Sequence, residues 1–317
     1  MDSVFDFSSR RAFLISLGKR SLRGPALRCM GSIFRNFFFE QACSRFLPRG
    51  IPVSQADHPL DERIPFAPEW IDVYIDFVPY WLRALTFLDS RFPRASEGAI
   101  RDLLRNMGRL YAFAARVYRR NMSTTRRPFY VARPGFMAIH LLDPHLMCVP
   151  SLHVMVVVYA CEKFERIIAE LGADDECRDQ IEEMRRGALA VCQAILFVKQ
   201  HSANCIGASL YALTRFDAAL FPAEKARAFL ARLFEDPPEA LLPGARCRAA
   251  RKRASCSPAR CKTCALAQPA ARLSPEDAAE IRGHIARSFE GFLAQGETAR
   301  SWEEPILDFL RGLPLSK

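Results

Sequence analysis

The chain has no clean run of apolar residues long enough to cross a bilayer. A span needs roughly 20 mostly apolar residues. Pro144 to Cys161 carries no Asp, Glu, Lys or Arg, but it contains His145, His153 and two prolines. Gly187 to Thr214 is interrupted among the charged types only by Lys199. FAPEWIDVYIDFVPYWLRALTFL, starting at Phe66, has the length but holds Glu69, Asp72, Asp76 and Arg83. The first twenty residues make a poor secretory leader. An acid comes first, the apolar run is short, and basic residues flank it on both sides. Strand-type alternation is also scarce, which disfavours an all-β class. Acids are outnumbered, 35 against 45 Lys and Arg, so the net charge is +10. That balance favours anionic partners, and arginine suits forked contacts to phosphate.

Half of the 317 residues are hydrophobic, so a sizeable core is available. Eleven cysteines in a chain of this length do not form a small disulfide scaffold; they read as reduced thiols with room for one metal cluster. Residues 1–50 are basic, aromatic-rich and helical in pattern. They read either as amphipathic helices on a membrane surface or as a helix pair packed on the bundle. Helices are expected over 67–90, 95–120, 150–171, 174–214 and 222–235, within a bundle spanning 55–235. A basic, Cys-rich linker or small module occupies 236–272, and a helical segment fills 273–317. Ser274 is its expected N-cap, with Pro275 at the first helical position.

Four cysteines in the basic module, Cys247, Cys256, Cys261 and Cys264, include one C-x-x-C pair and no second one. Four thiolates suit a tetrahedral structural zinc; free thiols on a loop and a redox pair are the other readings.

Two histidines lie in apolar company, either as satisfied core histidines or as members of one site. His153 ends CVPSLH, and His201 lies in FVKQHSANC. Pro150 can open a helix, with Ser151 at its start and His153 in its first turn, and a helix N-terminus is a natural phosphate site. Upstream, RRNMSTTRRPFYVARPGF places Arg120 and Arg127 seven apart, with Pro128 next. Arg126 and Arg133 repeat that spacing, with Pro134 next. Guanidiniums on a proline-bearing loop can clamp phosphate oxygens; a solvated basic loop is the plainer alternative.

Taken together, the order and spacing resemble the type 2 phosphatidic acid phosphatase superfamily, which includes vanadium haloperoxidases. The closer likeness is to its inositolphosphotransferase-type branch, where Pro-Ser-Leu-His and Lys-Gln-His are common. DERIPFAPEWIDVYIDFVPYW adds to it, and the resemblance covers roughly residues 55–220.

The resemblance implies an all-α helical bundle of that type, embedded in or associated with a membrane, with the cytoplasmic membrane as its expected location. It implies a phosphatase or phosphotransferase acting on a lipid phosphate or other phosphate ester through a phosphohistidine. His201 would be the nucleophile and His153 the acid for the leaving oxygen. Arg120, Arg127 and Ser151 would hold phosphate, with Arg126, Arg133 and Lys199 as further candidates. No cofactor would be required for catalysis. The expected partners are a phosphorylated substrate and an anionic membrane surface rather than nucleic acid.

The third motif departs from the family pattern. Cys205 stands four residues after His201, where an orienting Asp is expected. Ala194 and Ile195 stand where hydroxyl or Arg ligands are expected. A weakened or inactive relative that binds a phosphorylated lipid, or a membrane-peripheral scaffold, is therefore the alternative. If the remaining site is intact, Cys205→Asp should restore the missing partner and raise activity at least about tenfold.

Overall fold

The computed structural model describes residues 2–46, 50–236 and 273–316. They form a mostly helical bundle. Two short strands accompany it, β1 (Val53–Gln55) and β2 (Met122–Thr124). The helix expected over 67–90 is broken. It is a short α4 (Ile71–Tyr74) followed by α5 (Phe77–Arg91), with Asp76 at the junction. Arg83 forks onto the Asp76 carboxylate inside the bundle, so two charges that argued against a lipid-facing helix are satisfied by each other. Next come α6 (Glu97–Tyr118), α7 (Pro134–Leu142) and α8 (Leu152–Glu170).

The helix expected over 174–214 is two helices, α9 (Arg178–Phe197) and α10 (Ala203–Phe216). Lys199, with φ 54°, turns the chain between them, and Ser202 caps α10 by accepting from the Asn204 N–H. His201 therefore sits in the turn and not on a helix. α11 (Ala223–Ala231) precedes the segment outside the description. The chain returns as α12 (Pro275–Thr298), capped by Ser274, and α13 (Glu304–Arg311).

The N-terminal residues fold as α1 (Ser9–Gly18), α2 (Arg20–Ile33), one π-helical turn (Phe34–Phe38) and α3 (Phe39–Phe46). α2 lies along α6, and α1 lies along α5. The approach of α2 is close at Gly108, where an added Cβ would sit 3.1 Å from the Cys29 Cα. Ser32 donates to the Gly108 carbonyl there.

The core runs through α5, α6, α8, α9 and α10, with Val154 to Val158, Ala190 to Ile195 and Ala203 to Ala208 buried. α12 packs on α10 at Gly207, where a Cβ would meet the Ile285 carbonyl at 3.1 Å. Residues 273–316 are thus part of the bundle. Among the described residues, no helix is long and apolar enough to cross a membrane.

Candidate active site

Three chain segments meet at Ser123. β1 pairs with β2 in parallel, with Ser54 opposite Ser123. On the other side of β2, Ser123 receives the Cys148 N–H at 3.2 Å and donates its own N–H to the Leu146 carbonyl at 3.1 Å. Its hydroxyl accepts from the Val149 N–H at 2.8 Å. This stitch ties the Arg-Pro loop, which continues from β2, to the Pro-Ser-Leu-His segment that opens α8.

Ser151 is the N-cap residue of α8, yet its hydroxyl makes no cap bond. It lies 3.5 Å from Nε2 of His201. The Ser151 N–H is held by the Ser209 hydroxyl at 2.7 Å, and that hydroxyl donates to the Cys205 carbonyl. Nδ1 of His201 lies 3.3 Å from the Cys148 carbonyl oxygen. A carbonyl can only accept, so Nδ1 carries the proton and Nε2 keeps its lone pair toward Ser151. The His153 ring stands 5.3 Å from the His201 ring, at 67°. Tyr74 stacks on His153 at 4.3 Å, and Phe77 packs against it at 4.2 Å.

A small cavity of about 20 Å³ opens here, lined by Phe37, Gln41, Asp143, His145, His153 and His201 among others. That is room for roughly one water. His145 was not singled out as a site residue from the sequence. It faces His201 at 6.5 Å, and its Nε2 lies 2.9 Å from the Thr125 hydroxyl. Its signal was present: it lies eight residues before His153, in the run whose histidines argued against a span. Asp143 was also missed. Its carboxylate accepts from Gln41 and from the His145 N–H, each at 2.9 Å.

Burial sets the protonation of the cluster. Loss of solvation brings His201 down to about 4 and His145 to about 3. It also takes His153 well below the ordinary imidazole value, and nearby His201 pushes in the same direction. All three are neutral at pH 7. Burial raises the Asp143 carboxyl, against its hydrogen bonds and Arg127.

The arginines divide. Arg127 is half-buried and donates to the Asp143 carbonyl at 3.1 Å and the Gln200 side chain at 3.4 Å, beside the cluster. Arg120 is exposed at the end of α6 and does not line the cavity. Arg126 is exposed, and its backbone N–H bonds the Asp57 carboxylate. Arg133 stands before α7, outside the cavity lining. Lys199 donates to the Asp61 carbonyl, away from the cavity. The resemblance implies that Arg120 and Arg127 share one clamp; here Arg127 bonds the Asp143 carbonyl beside the cluster, and Arg120 is exposed at the end of α6.

Cys205 does not lie one helical turn from His201, because α10 begins after His201. It is fully buried, and the loss of solvation pushes its thiol up, with Asp61 and Asp57 acting in the same direction. The place of the expected carboxylate at Nδ1 is taken by the Cys148 carbonyl. Cys247, Cys256, Cys261 and Cys264 lie outside the described residues. Among the described residues no group of His, Cys, Asp and Glu is arranged to hold a metal.

Comparisons with protein-family models, with curated proteins and with solved structures gave no match for this chain. The functional reading therefore rests on the geometry of the site.

Proposed function

We propose that the chain transfers phosphoryl groups, as a phosphatase or phosphotransferase acting on a phosphate ester, with lipid phosphates as the favoured class. The observation that carries this reading is the disposition of His201. Its Nδ1–H is tied to a main-chain carbonyl, and its free Nε2 faces a serine hydroxyl at the N-terminus of α8. A neutral imidazole with one nitrogen fixed and the other free is a competent nucleophile.

In the first step Nε2 of His201 bonds to phosphorus and the ester P–O bond breaks. The leaving oxygen takes a proton from His153. A bound phosphate dianion favours the charged form of an adjacent imidazole, so substrate binding itself loads His153. In the second step water, or an alcohol in the transferase case, attacks the phosphohistidine and gives its proton back to His153. The N-terminus of α8, the Ser151 hydroxyl and Arg127 would bear the phosphoryl charge. This chemistry asks for no metal or organic cofactor.

A second reading is a protein that binds a phosphorylated group without turnover. It is favoured by the cavity of about 20 Å³ and by the exposed position of Arg120. Turnover requires Phe37, Gln41 or Phe77 to give way, because a phosphoryl group is larger than one water.

Phosphate release from lipid and soluble phosphate monoesters, measured in the presence of chelator, tests the choice. Release above the level of a His201→Ala control supports turnover, and no release above that control leaves the binding reading.

A further inference from the structure

The helix that begins at Arg20 and runs through the π turn into α3 has two unlike faces. Its inner face is fully engaged. Ser32 bonds the Gly108 carbonyl, and Asn36 accepts from Arg119 at 2.6 Å. Glu40 pairs with the same Arg119 at 2.7 Å. Phe37 turns inward to Tyr111 and the cavity.

The outer face carries Leu27, Met30, Phe34 and Phe38, spaced three, four and four apart. A helix repeats every 3.6 residues, so they form one stripe. All four are exposed, Phe34 at 62% and Phe38 at 55%. Phe129 and Leu141 are exposed as well, at 84% and 67%. Gln41 donates to the Asp143 carboxylate at 2.9 Å, and both line the cavity together with Phe37 of the same helix. Contiguous exposed apolar surface of this kind marks an interaction site.

The charge beside the stripe selects the occupant. Between Asp6 and Glu40 there is no acid and there are seven Lys and Arg residues. Arg28 and Arg35 are exposed beside the stripe, one residue after Leu27 and Phe34. An apolar stripe flanked only by cations matches the interface of an anionic bilayer: rings enter the acyl boundary while guanidiniums meet phosphate and carboxylate headgroups.

We propose that this face docks the protein on one leaflet of an anionic lipid bilayer, with the helix in the membrane plane. Docking stands on the outer face alone, whether or not His201 turns over substrate.

Co-sedimentation of the full chain with phosphatidylcholine vesicles, with and without phosphatidylserine, tests it. The protein should bind the phosphatidylserine vesicles more tightly, and added salt should weaken binding. Phe34→Ser with Phe38→Ser should weaken it at least about tenfold. Arg28→Gln with Arg35→Gln should remove the preference for phosphatidylserine. Both pairs are exposed, so the helical circular dichroism should be unchanged. His201→Ala should bind vesicles as the wild type does, which separates docking from turnover. Equal binding by the Phe34→Ser, Phe38→Ser chain would overturn the proposal. So would absence of wild-type binding, or a wild-type dimer in solution that the same substitutions dissolve, since the stripe would then be a protein interface.

Discussion

His201 is oriented by the main-chain oxygen of Cys148, 3.3 Å from its Nδ1. This one contact replaces the side-chain carboxylate that the motif spacing led one to expect at position 205. It comes from the segment that also carries Ser151 and His153, so the element bearing His153 also sets the tautomer of His201.

Cys205→Asp should therefore not raise activity. The carboxylate would enter a fully buried site that already feels Asp61 and Asp57, with His201 already committed to Cys148. A buried charge without a partner costs about 3 kcal/mol or more. Urea unfolding should show that loss, and turnover should stay at or below the wild-type level. A rise of tenfold would restore the reading in which position 205 orients His201.

Ser209→Ala removes the hydroxyl that holds the Ser151 N–H. A buried donor left unpaired costs about 1–3 kcal/mol. The midpoint in urea should fall accordingly. Because Ser151 is then free to shift, kcat should drop more than KM rises. Ser209→Thr, which keeps the hydroxyl, should recover part of the loss.

Arg127→Ala should reduce kcat/KM at least about tenfold, as expected for a charge-assisted donor on the transferring group. Arg120→Ala should stay within about twofold, since an exposed side chain away from the cavity carries little of the site. Equal losses for the two would show that both arginines close on the phosphate.

Stability should rise with pH between about 5 and 7. The His201 imidazole is held at about 4 in the fold, below its unfolded value near 6.5. The unfolded chain then binds more protons across that window. The contribution is fully present above the unfolded value and is lost as pH falls toward the folded one. His201 alone accounts for about 2 kcal/mol between pH 7 and 5. His145 and His284, held at about 3 and about 4, act in the same direction. Urea titrations at the two pH values measure the slope, and His201→Gln should lower the gain between pH 5 and 7 by about 2 kcal/mol, leaving the share of the other histidines. A wild-type slope that His201→Gln leaves unchanged would mean that the ring is protonated in the fold.

The helical class was legible because the apolar spacing in α6 and α8 has a helical period and the Pro-Ser start of α8 is local chemistry. The break before α10 was not legible. Val198 to Ser202 holds no Gly or Pro to stop a helix; the left-handed turn at Lys199 and the Ser202 cap end it, where Lys199 and the Ala203 N–H bond Asp61 of the Pro59–Arg63 turn. The strands escaped notice because three-residue segments pair across about seventy residues of chain, with no local pattern to mark them. Motif order placed His153 and His201 correctly as neighbours, since each is fixed by the end of a long helix. The exposure of Arg120 was not legible, because spacing carries no information on which way a side chain turns. His145 was passed over because its partner Thr125 is distant in sequence.

The most direct measurement is a trap of the covalent intermediate. The protein is mixed with a lipid phosphate labelled in the phosphoryl group, quenched with base during turnover, digested and mapped. The account predicts an acid-labile, base-stable phosphohistidine on the peptide containing His201, absent in His201→Ala. Turnover without label on that peptide, or label on a different residue, would contradict it.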